Sequence, residues 1–328
     1  MAQPSSALTR WDASLNTNEF DLLMNQAGYI GPKVLKPRVV GNQSATYGKV
    51  SVEELLRSQE TARRARSGYG RDTFEVGNTS YATEEHGWEA PVDDREKRIY
   101  RDLVDQETVA MTRCANIVAD KYEREVAAAV FNTTTFTGSA LTTAVGTAWS
   151  THASAAPVDD VIAAADKVAL NCGQQPNALI INWRGFMHMI QCASVKSMLA
   201  TTKDQSVANL SSALASLMGL DQIIVAKGIQ NTANKNATAS LSRIWTNAYA
   251  MVAKVALTDD PKEICLGRTW MFSEENAPGA AGDGTTLAVV MEEYREESTR
   301  GTVYRARNDR QVQILYPECG HLLTSVWS

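Results

Sequence analysis

The sequence predicts an α+β protein, and three observations support this fold class. Residues 94–131 contain neither Gly nor Pro and carry apolar residues at steps of three or four, which is typical of one long amphipathic helix. Residues 157–255 alternate between helical and strand patterns, which predicts a mixed α/β unit. Residues 287–316 alternate or run apolar around turn residues, which predicts a closing set of strands.

Composition excludes several classes of protein. At ~150 residues per domain, a chain of 328 residues forms roughly two domains or one large body. Apolar residues make up 44% and charged residues 21%, which excludes a wholly disordered chain. A net charge of −5 argues against holding DNA or RNA by phosphate neutralisation. With no signal-peptide pattern and no apolar run near the ~18 residues that span a bilayer, we expect a soluble, unsecreted protein without a membrane partner.

The first 48 residues predict an arm. Residues 18–26 are weakly helical, and residues 32–40 form a broken extended stretch whose two prolines exclude a central strand. A segment that buries so little of its own surface normally lies on the rest of the chain or on a neighbouring copy.

Residues 49–92 predict an extended loop. Residues 52–56 form a short amphipathic turn, and residues 73–76 and 80–83 flank Gly77 and Asn78 as expected of a two-stranded ribbon. The loop carries charges of both signs, which a contact between protein copies explains. We therefore predict that its charged residues form an inter-subunit contact, namely Arg63, Arg64, Arg66, Arg71, Glu84, Glu85 and Asp93.

The long helix over residues 94–131 is expected to be continuous and roughly 50 to 60 Å long. Acidic residues at its start suit a helix N-terminus, and Glu107 interrupts its apolar stripe. The predicted stripe consists of Ile99, Leu103, Met111, Ala115, Val118, Tyr122, Val126 and Val130.

The mixed unit begins with a helix opened by Pro157 and ended by Gly173. Its predicted buried stripe is Val158, Ile162, Ala165, Ala169 and Cys172. Residues 178–181 predict a buried strand, after which Asn182 is placed to cap a helix. Further elements are expected as a helix at 206–218 and strands at 222–226, 243–246 and 248–255.

The remaining residues predict a mobile loop at 273–286 and then strands over 287–298, 302–307 and 311–316. Arg300 and Gly301 form the first turn between these strands. Asn308 and Asp309 form a polar step that separates the last two.

Motifs for catalysis are absent from the sequence. The Gly48-Lys49 step lacks the other residues of a phosphate-binding loop, and Gly68-Tyr69-Gly70 lacks the third glycine of a dinucleotide fingerprint. The four histidines have no metalloprotease spacing, and the five scattered cysteines are interpreted as small buried hydrophobes in a reducing cytoplasm. We therefore expect no catalytic, cofactor-binding or metal-binding residues and no cofactor.

In their order, three stretches resemble the major capsid proteins of tailed bacteriophages, which have the Hong-Kong-97-type fold. Residues 80–94 look like that family's extended loop joining its spine helix, and residues 158–181 are similar to the start of its axial domain. Residues 298–317 look like its closing peripheral-domain strands. No single stretch is specific, so the order of the three carries the resemblance.

The resemblance implies five parts: an N-terminal arm (1–48), an extended β-ribbon loop (49–92), the spine helix with the first part of the peripheral domain (93–156), a mixed α/β axial domain (157–286), and C-terminal peripheral strands (287–328). It implies a structural, non-enzymatic subunit of the virion capsid, made in the host cytoplasm. Such subunits form pentamers and hexamers and close an icosahedral shell around double-stranded DNA.

The resemblance also implies partners. Because only about 48 residues precede the loop, a separate scaffolding protein, or none, is expected, together with a portal. A decoration protein is a further candidate partner. Two alternatives remain open: an encapsulin-like nanocompartment shell and a cytoplasmic α/β enzyme with an unrecognised site.

Overall fold

The computed structural model describes residues 28–59, 61–71, 73, 75–100, 105–199, 207–234, 236–246, 248–260, 262–273 and 289–327. The described helices are α1 (Gly31–Val34), α2 (Val52–Leu56), α3 (Asp94–Tyr100), α4 (Gln106–Val130), α5 (Gly138–Leu141), α6 (Pro157–Cys172), α7 (Trp183–Gln191), α8 (Ala193–Leu199) and α9 (Val207–Leu217), with a 3-10 helix at Pro317–Cys319. The described strands are β1 (Pro37–Val40), β2 (Ser44–Lys49), β3 (Gly77–Ala82), β4 (Glu84–Asp93), β5 (Thr142–Ala144), β6 (Ala178–Asn182), β7 (Gln222–Ala226), β8 (Ile229–Asn231), β9 (Leu241–Arg243), β10 (Ala250–Ala253), β11 (Gly267–Phe272), β12 (Val290–Glu296), β13 (Gly301–Ile314) and β14 (Gly320–Thr324). None of the helices in this part of the chain is both long and apolar enough to cross a membrane.

The first sheet is organised by its longest strand, β13. This strand pairs antiparallel with β4, β11 and β12, and β1 joins β11 in parallel at the edge. Helix α4 packs across one face, where Cys114 and Val118 meet Ala306. The long helix and the long strand therefore form one unit, although nearly 200 residues separate them along the chain.

The second sheet has the strand order β5-β14-β10-β6-β7. Two of its three inner strands, β6 and β10, are buried along their whole length. Ile180 and Met251 face a core shared with α4, whereas Leu179 and Val252 face a core built with α6 to α9. Because both faces are covered, these strands are apolar on both sides, as the sequence predicts for residues 178–181.

Local signals at the ends of two helices confirm the sequence predictions. Asn182 accepts a hydrogen bond from the backbone N–H of Gly185 at 2.7 Å and so caps α7. Gly173 follows α6 with φ of +67°, the left-handed conformation that glycine adopts without steric cost.

The buried stripe of α6 differs from the prediction. The buried residues are Val158, Val161, Ala164, Val168 and Cys172. Ile162, predicted to face inward, has 45% of its surface exposed. Val158 and Cys172 are buried as predicted, and only the three positions between them are shifted by one residue, because small alanines on both sides of the helix left its apolar face ambiguous.

The prediction of one continuous helix over residues 94–131 is wrong. Asp105 has an extended backbone and caps a new helix, since its carboxylate accepts from the N–H of Glu107 at 3.2 Å and from the Thr108 hydroxyl at 2.7 Å. A residue that caps one helix cannot continue the helix before it. The expected stripe holds within α4 at Val118, Tyr122, Val126 and Val130, whereas Ile99 in α3 is exposed.

The predicted ribbon forms with a different partner. Strand β3 pairs with β2, and not with residues 73–76, while β4 lies against β13. The polar step at Asn308 and Asp309 is likewise not a turn, because both residues are buried inside β13. In both cases the pairing strand comes from a distant part of the chain.

The described end of the arm lies on the same chain. Residues 32–34, expected to be extended, lie in α1, while β1 occupies a sheet edge, as its Pro37 requires. The helix predicted at 18–26 and the loop predicted at 273–286, apart from Ser273 at the end of β11, lie outside the described residues.

Candidate functional site

The arginine cluster lies in an irregular, exposed segment between α2 and β3. Arg63, Arg64, Arg66 and Arg71 are all exposed. The Arg63 guanidinium donates to the Ser67 carbonyl oxygen at 2.7 Å and lies 4.8 Å from the centre of the Tyr69 ring. Arg66 has a left-handed backbone with φ of +69°. The segment therefore presents several cations on a locally structured turn.

The acidic residues of the predicted contact lie on the body of the molecule. Glu84 and Glu85 begin β4 and are exposed, whereas Asp93 ends that strand. The Asp93 carboxylate accepts from the backbone N–H of Arg95 at 2.6 Å, so it is occupied at the start of α3. The sequence placed these acids on the return strand of the loop, but β4 belongs to the first sheet.

The structure does not bring the two charged sets together within one subunit. Among the described residues, no ion pair or hydrogen bond links the four arginines to Glu84, Glu85 or Asp93. The cations project from an irregular segment, and the acids line a rigid sheet edge.

A strip of paired charges crosses the outer face of the first sheet, and sequence reasoning missed it. Arg305 on β13 reaches Glu89 on β4 at 2.6 Å and Glu292 on β12 at 3.6 Å. Arg307 pairs with the same Glu292 at 2.8 Å. The detectable signal was the spacing of Arg305 and Arg307 around Ala306, which places these two arginines on the same face of β13.

Beside this strip lies an open groove of about 530 Å³, lined by Glu85, Gly87, Trp88, Glu89, Arg305 and Arg307. Trp88 is 50% exposed, although it sits in the middle of a strand. On the arginine segment itself, Tyr69 is 73% exposed. Large exposed side chains bordered by charges are typical of protein contact surfaces.

A second cavity, of about 370 Å³, lies where β3 meets β4 and contains His86, Glu125 and Arg310. The Arg310 side chain is fully buried, bonds to Glu125 at 3.1 Å and lies 5.4 Å from the centre of the Tyr122 ring. Burial and the neighbouring Arg310 lower the pKa of His86. The cluster therefore holds one buried cation against one carboxylate at the base of the predicted loop.

A buried carboxylate anchors the arm. Glu123 on α4 has no exposed surface and accepts from the backbone N–H groups of Ile30 and Gly31 at 3.0 and 2.7 Å. It also accepts from the Trp245 indole N–H at 2.7 Å. Burial raises the pKa of Glu123, and these three donors act in the opposite direction. This contact joins the arm, the long helix and the second sheet.

The remaining histidines and the cysteines make contacts inside the fold. His321 is buried and bonded to Thr143 and to the Ala140 carbonyl oxygen, and His152 and His188 stack with ring nitrogens 3.0 Å apart. All five cysteines are buried and unbridged, as the sequence predicts. In the described ranges, no group of three or more His, Cys, Asp or Glu side chains is placed to hold a metal ion.

The fold is similar to those of several solved structures. A crystal structure of a phage-related protein from Bordetella bronchiseptica matches with a TM-score of 0.66 and 18% identity, over 93% of this chain and 97% of that chain. The capsid of cyanophage P-SCSP1u matches with a TM-score of 0.56 and 12% identity, over 88% and 86%. An encapsulin complex from Synechococcus elongatus matches with a TM-score of 0.52 and 10% identity, over 99% and 92%.

Sequence comparison adds nothing to these likenesses, since no protein-family model and no curated protein matches the chain. The structural matches extend over most of both chains, so they concern the whole fold. The chain adopts the tailed-phage capsid fold that its sequence predicts, a fold that encapsulin shells share.

Proposed function

We propose that this chain is a major capsid protein that self-assembles as pentamers and hexamers into an icosahedral shell enclosing double-stranded DNA. The observation that carries the proposal is the likeness to a cyanophage capsid structure over 88% of the chain, together with the likeness to a phage-related protein over 93%. The net charge of −5 suits a container that encloses nucleic acid without gripping it in a sequence-specific way.

The likeness to an encapsulin complex supports a second candidate, a nanocompartment shell. Both candidates are structural and need no active site. The enzyme alternative is disfavoured, because the whole described chain is accounted for by a shell fold.

Electron microscopy of the purified full-length protein, with and without co-expressed phage structural genes, tests the proposal. We expect closed particles or ring-shaped capsomers. Small oligomers under all conditions would contradict both shell candidates. Nuclease-protected double-stranded DNA inside particles from infected or induced cells favours the capsid, whereas particles filled with protein cargo favour the nanocompartment.

We further propose that the arginine segment reaches over an adjacent subunit, as the predicted extended loop would. Arg63, Arg64, Arg66 and Arg71 then face acids of the neighbouring copy, including Glu84, Glu85 and Asp93. Two findings support this arrangement: the two sets do not pair within a subunit, and exposed aromatic side chains lie near both. Identical subunits with complementary patches can close into head-to-tail rings.

The double variant Arg63→Glu with Arg64→Glu tests this contact. We expect normal circular dichroism and thermal unfolding, but slow or absent assembly, because like charges replace attractive ones at every interface. High salt is expected to weaken assembly of the wild-type protein in the same direction. The control is Arg124→Glu, on the exposed side of α4. Normal assembly of the double variant at every salt concentration would show that other residues form the contact.

The remaining parts of the proposal concern location and partners. The subunit belongs to the virion capsid and is made in the host cytoplasm. A separate scaffolding protein and a portal would guide assembly, and a decoration protein would bind the outer surface. Co-purification of particles from infected cells, followed by mass spectrometry, would identify these partners.

A further inference from the structure

Two buried cysteines lie side by side at the junction of three elements. Cys172 is the last residue of α6, and Cys319 is the last residue of the 3-10 helix that leads into β14. Their exposed fractions are 2% and 0%. The two side chains pack in the same small buried cluster, and the Cys172 thiol donates to the Gln174 carbonyl oxygen at 3.5 Å.

A short helix covers the pair. Val52 of α2 packs in the same small cluster as Cys172, Cys319 and Val168. Leu56 lies over Gly173 so closely that a Cβ at that glycine would be 2.9 Å from its methyl groups. This covering helix immediately precedes the exposed arginine segment, so access to the thiols depends on a short element with little support of its own.

The surroundings favour thiolate chemistry at one cysteine. The neighbouring Cys319 lowers the pKa of Cys172 to about 7, and Lys254 acts in the same direction, whereas burial and Glu318 oppose the shift. The pKa of Cys319 is raised by its contact with Cys172 and by burial. Cys172 is therefore suited to attack a disulfide first, and Cys319 is suited to resolve the mixed disulfide that results.

We propose that Cys172 and Cys319 form an intrachain disulfide by exchange with a small disulfide such as oxidised glutathione, and that α2 controls access to them. The Cys172 thiolate attacks one sulfur of the reagent, forming a mixed disulfide and releasing one glutathione thiolate. Cys319 then loses its proton and attacks the Cys172 sulfur, releasing the second glutathione. The two cysteines are oxidised, and one oxidised glutathione becomes two reduced glutathiones.

The bond would tie the end of α6 to the segment that leads into the second sheet. A reducing cytoplasm keeps the pair as thiols, and oxidation follows exposure to an oxidising medium. Because the bond closes a loop of more than ~100 residues, we expect it to raise the melting temperature by about 5 °C or more.

The test uses the unassembled full-length protein, so its outcome is independent of the shell proposal. The protein is treated with oxidised glutathione, alkylated, digested without reductant and analysed by mass spectrometry. We expect one linked pair of peptides, containing Cys172 and Cys319 and lighter by two hydrogens, while Cys114, Cys192 and Cys265 remain alkylatable after denaturation. Either no linked peptide in the folded protein or linkage that includes the other three cysteines would overturn the proposal.

A variant tests the covering helix. Val52→Ala removes two carbon atoms of contact above the thiols and is expected to speed oxidation roughly fivefold. Val158→Ala makes the same change at the opposite end of α6 and is expected to leave the rate unchanged. Equal acceleration by both variants would show that general loosening of the fold, and not α2, controls access. Cys319→Ser is expected to stop at the mixed disulfide, which a reductant reverses.

Discussion

The two sheets bury different kinds of side chain. At the centre of the second sheet, β6 and β10 bury apolar residues on both faces, as at Leu179 and Met251. In the first sheet, β13 buries Asn308, Asp309 and Arg310 in succession. Helix α4, which packs on both sheets, buries both kinds of side chain, since it carries apolar residues beside the buried Glu123. The centre of the second sheet is therefore stabilised mainly by apolar packing. The first sheet and its junction with the arm also depend on buried charged groups and their partners.

This difference has consequences for stability. A close-packed apolar core tolerates a change of shape if its volume is kept. A buried charge cannot lose its partner without a large cost, because the remaining group is left desolvated and unpaired. A substitution that keeps the side-chain volume is therefore expected to cost little stability in the second sheet and much more at a buried charge of the first sheet.

The largest effect is expected at Glu123. Glu123→Ala leaves the N–H groups of Ile30 and Gly31 and the Trp245 indole without an acceptor. We expect a loss of ~3 to 5 kcal/mol in the free energy of unfolding, measured by urea denaturation. Glu123→Gln keeps one acceptor oxygen and should lose less. An unchanged urea midpoint for the alanine variant would show that the arm is held by other contacts.

The next largest effect is expected at Arg310. Arg310→Met keeps most of the side-chain volume but removes the partner of Glu125 and the cation above the Tyr122 ring. We expect a loss of ~2 to 3 kcal/mol, below the full value for a buried pair because Glu125 keeps some exposure and its contact with Lys121. The matched control is Arg124→Met, whose exposed pair with Asp120 contributes ~0.5 kcal/mol or less. Equal losses for the two variants would contradict the special role of the buried charge.

A smaller effect is expected in the second sheet. Leu179→Met conserves volume in a fully buried apolar site and should cost less than ~1.5 kcal/mol. The comparison with Arg310→Met uses the same incoming residue in the two sheets. If Leu179→Met lowered the free energy of unfolding more than Arg310→Met, the proposed difference between the two sheets would be wrong.

The smallest effect concerns pH. Because the pKa of Glu123 is raised in the folded state, the folded chain binds the proton of this carboxyl more tightly than the unfolded chain does. Its contribution to stability is present below the unfolded pKa of ~4.3 and is lost as pH rises through the higher folded pKa. Urea unfolding at a series of pH values should show this decline in the wild type relative to Glu123→Gln. Parallel pH profiles for the two proteins would contradict it.

The parts of the fold that the sequence predicted depend on short-range signals. The buried strand at 178–181, the Asn182 cap and the Gly173 terminus each need only a few neighbouring residues. The errors arose where distant residues decide the outcome. Strand β3 pairs with the earlier strand β2, and the polar pair at 308–309 is buried inside β13, where Gln43 donates to the Asp309 carboxylate at 3.4 Å.

The candidate site shows the same limit. The exposure of the arginine cluster was predictable, because charge density without an apolar stripe indicates solvent contact. The position of Glu84 and Glu85 was not, because it depends on β4 pairing with β13. Glu123 could not be recognised either, since a buried carboxylate and an exposed one have the same letter in a sequence. The assignment of all seven residues to an inter-subunit contact stays a prediction.

The position of β13 and β14 in chain order bears on how the protein is made. All the strands that pair with β13, namely β4, β11 and β12, precede it, and β14 lies between the earlier strands β5 and β10. During translation, neither sheet can close until residues 301–324 have left the ribosome. Nascent chains therefore expose unpaired strand edges for most of their synthesis, when recruitment of chaperones has its greatest effect. A prematurely terminated chain would lack β13 and β14, an inner strand of each sheet, so it could complete neither sheet.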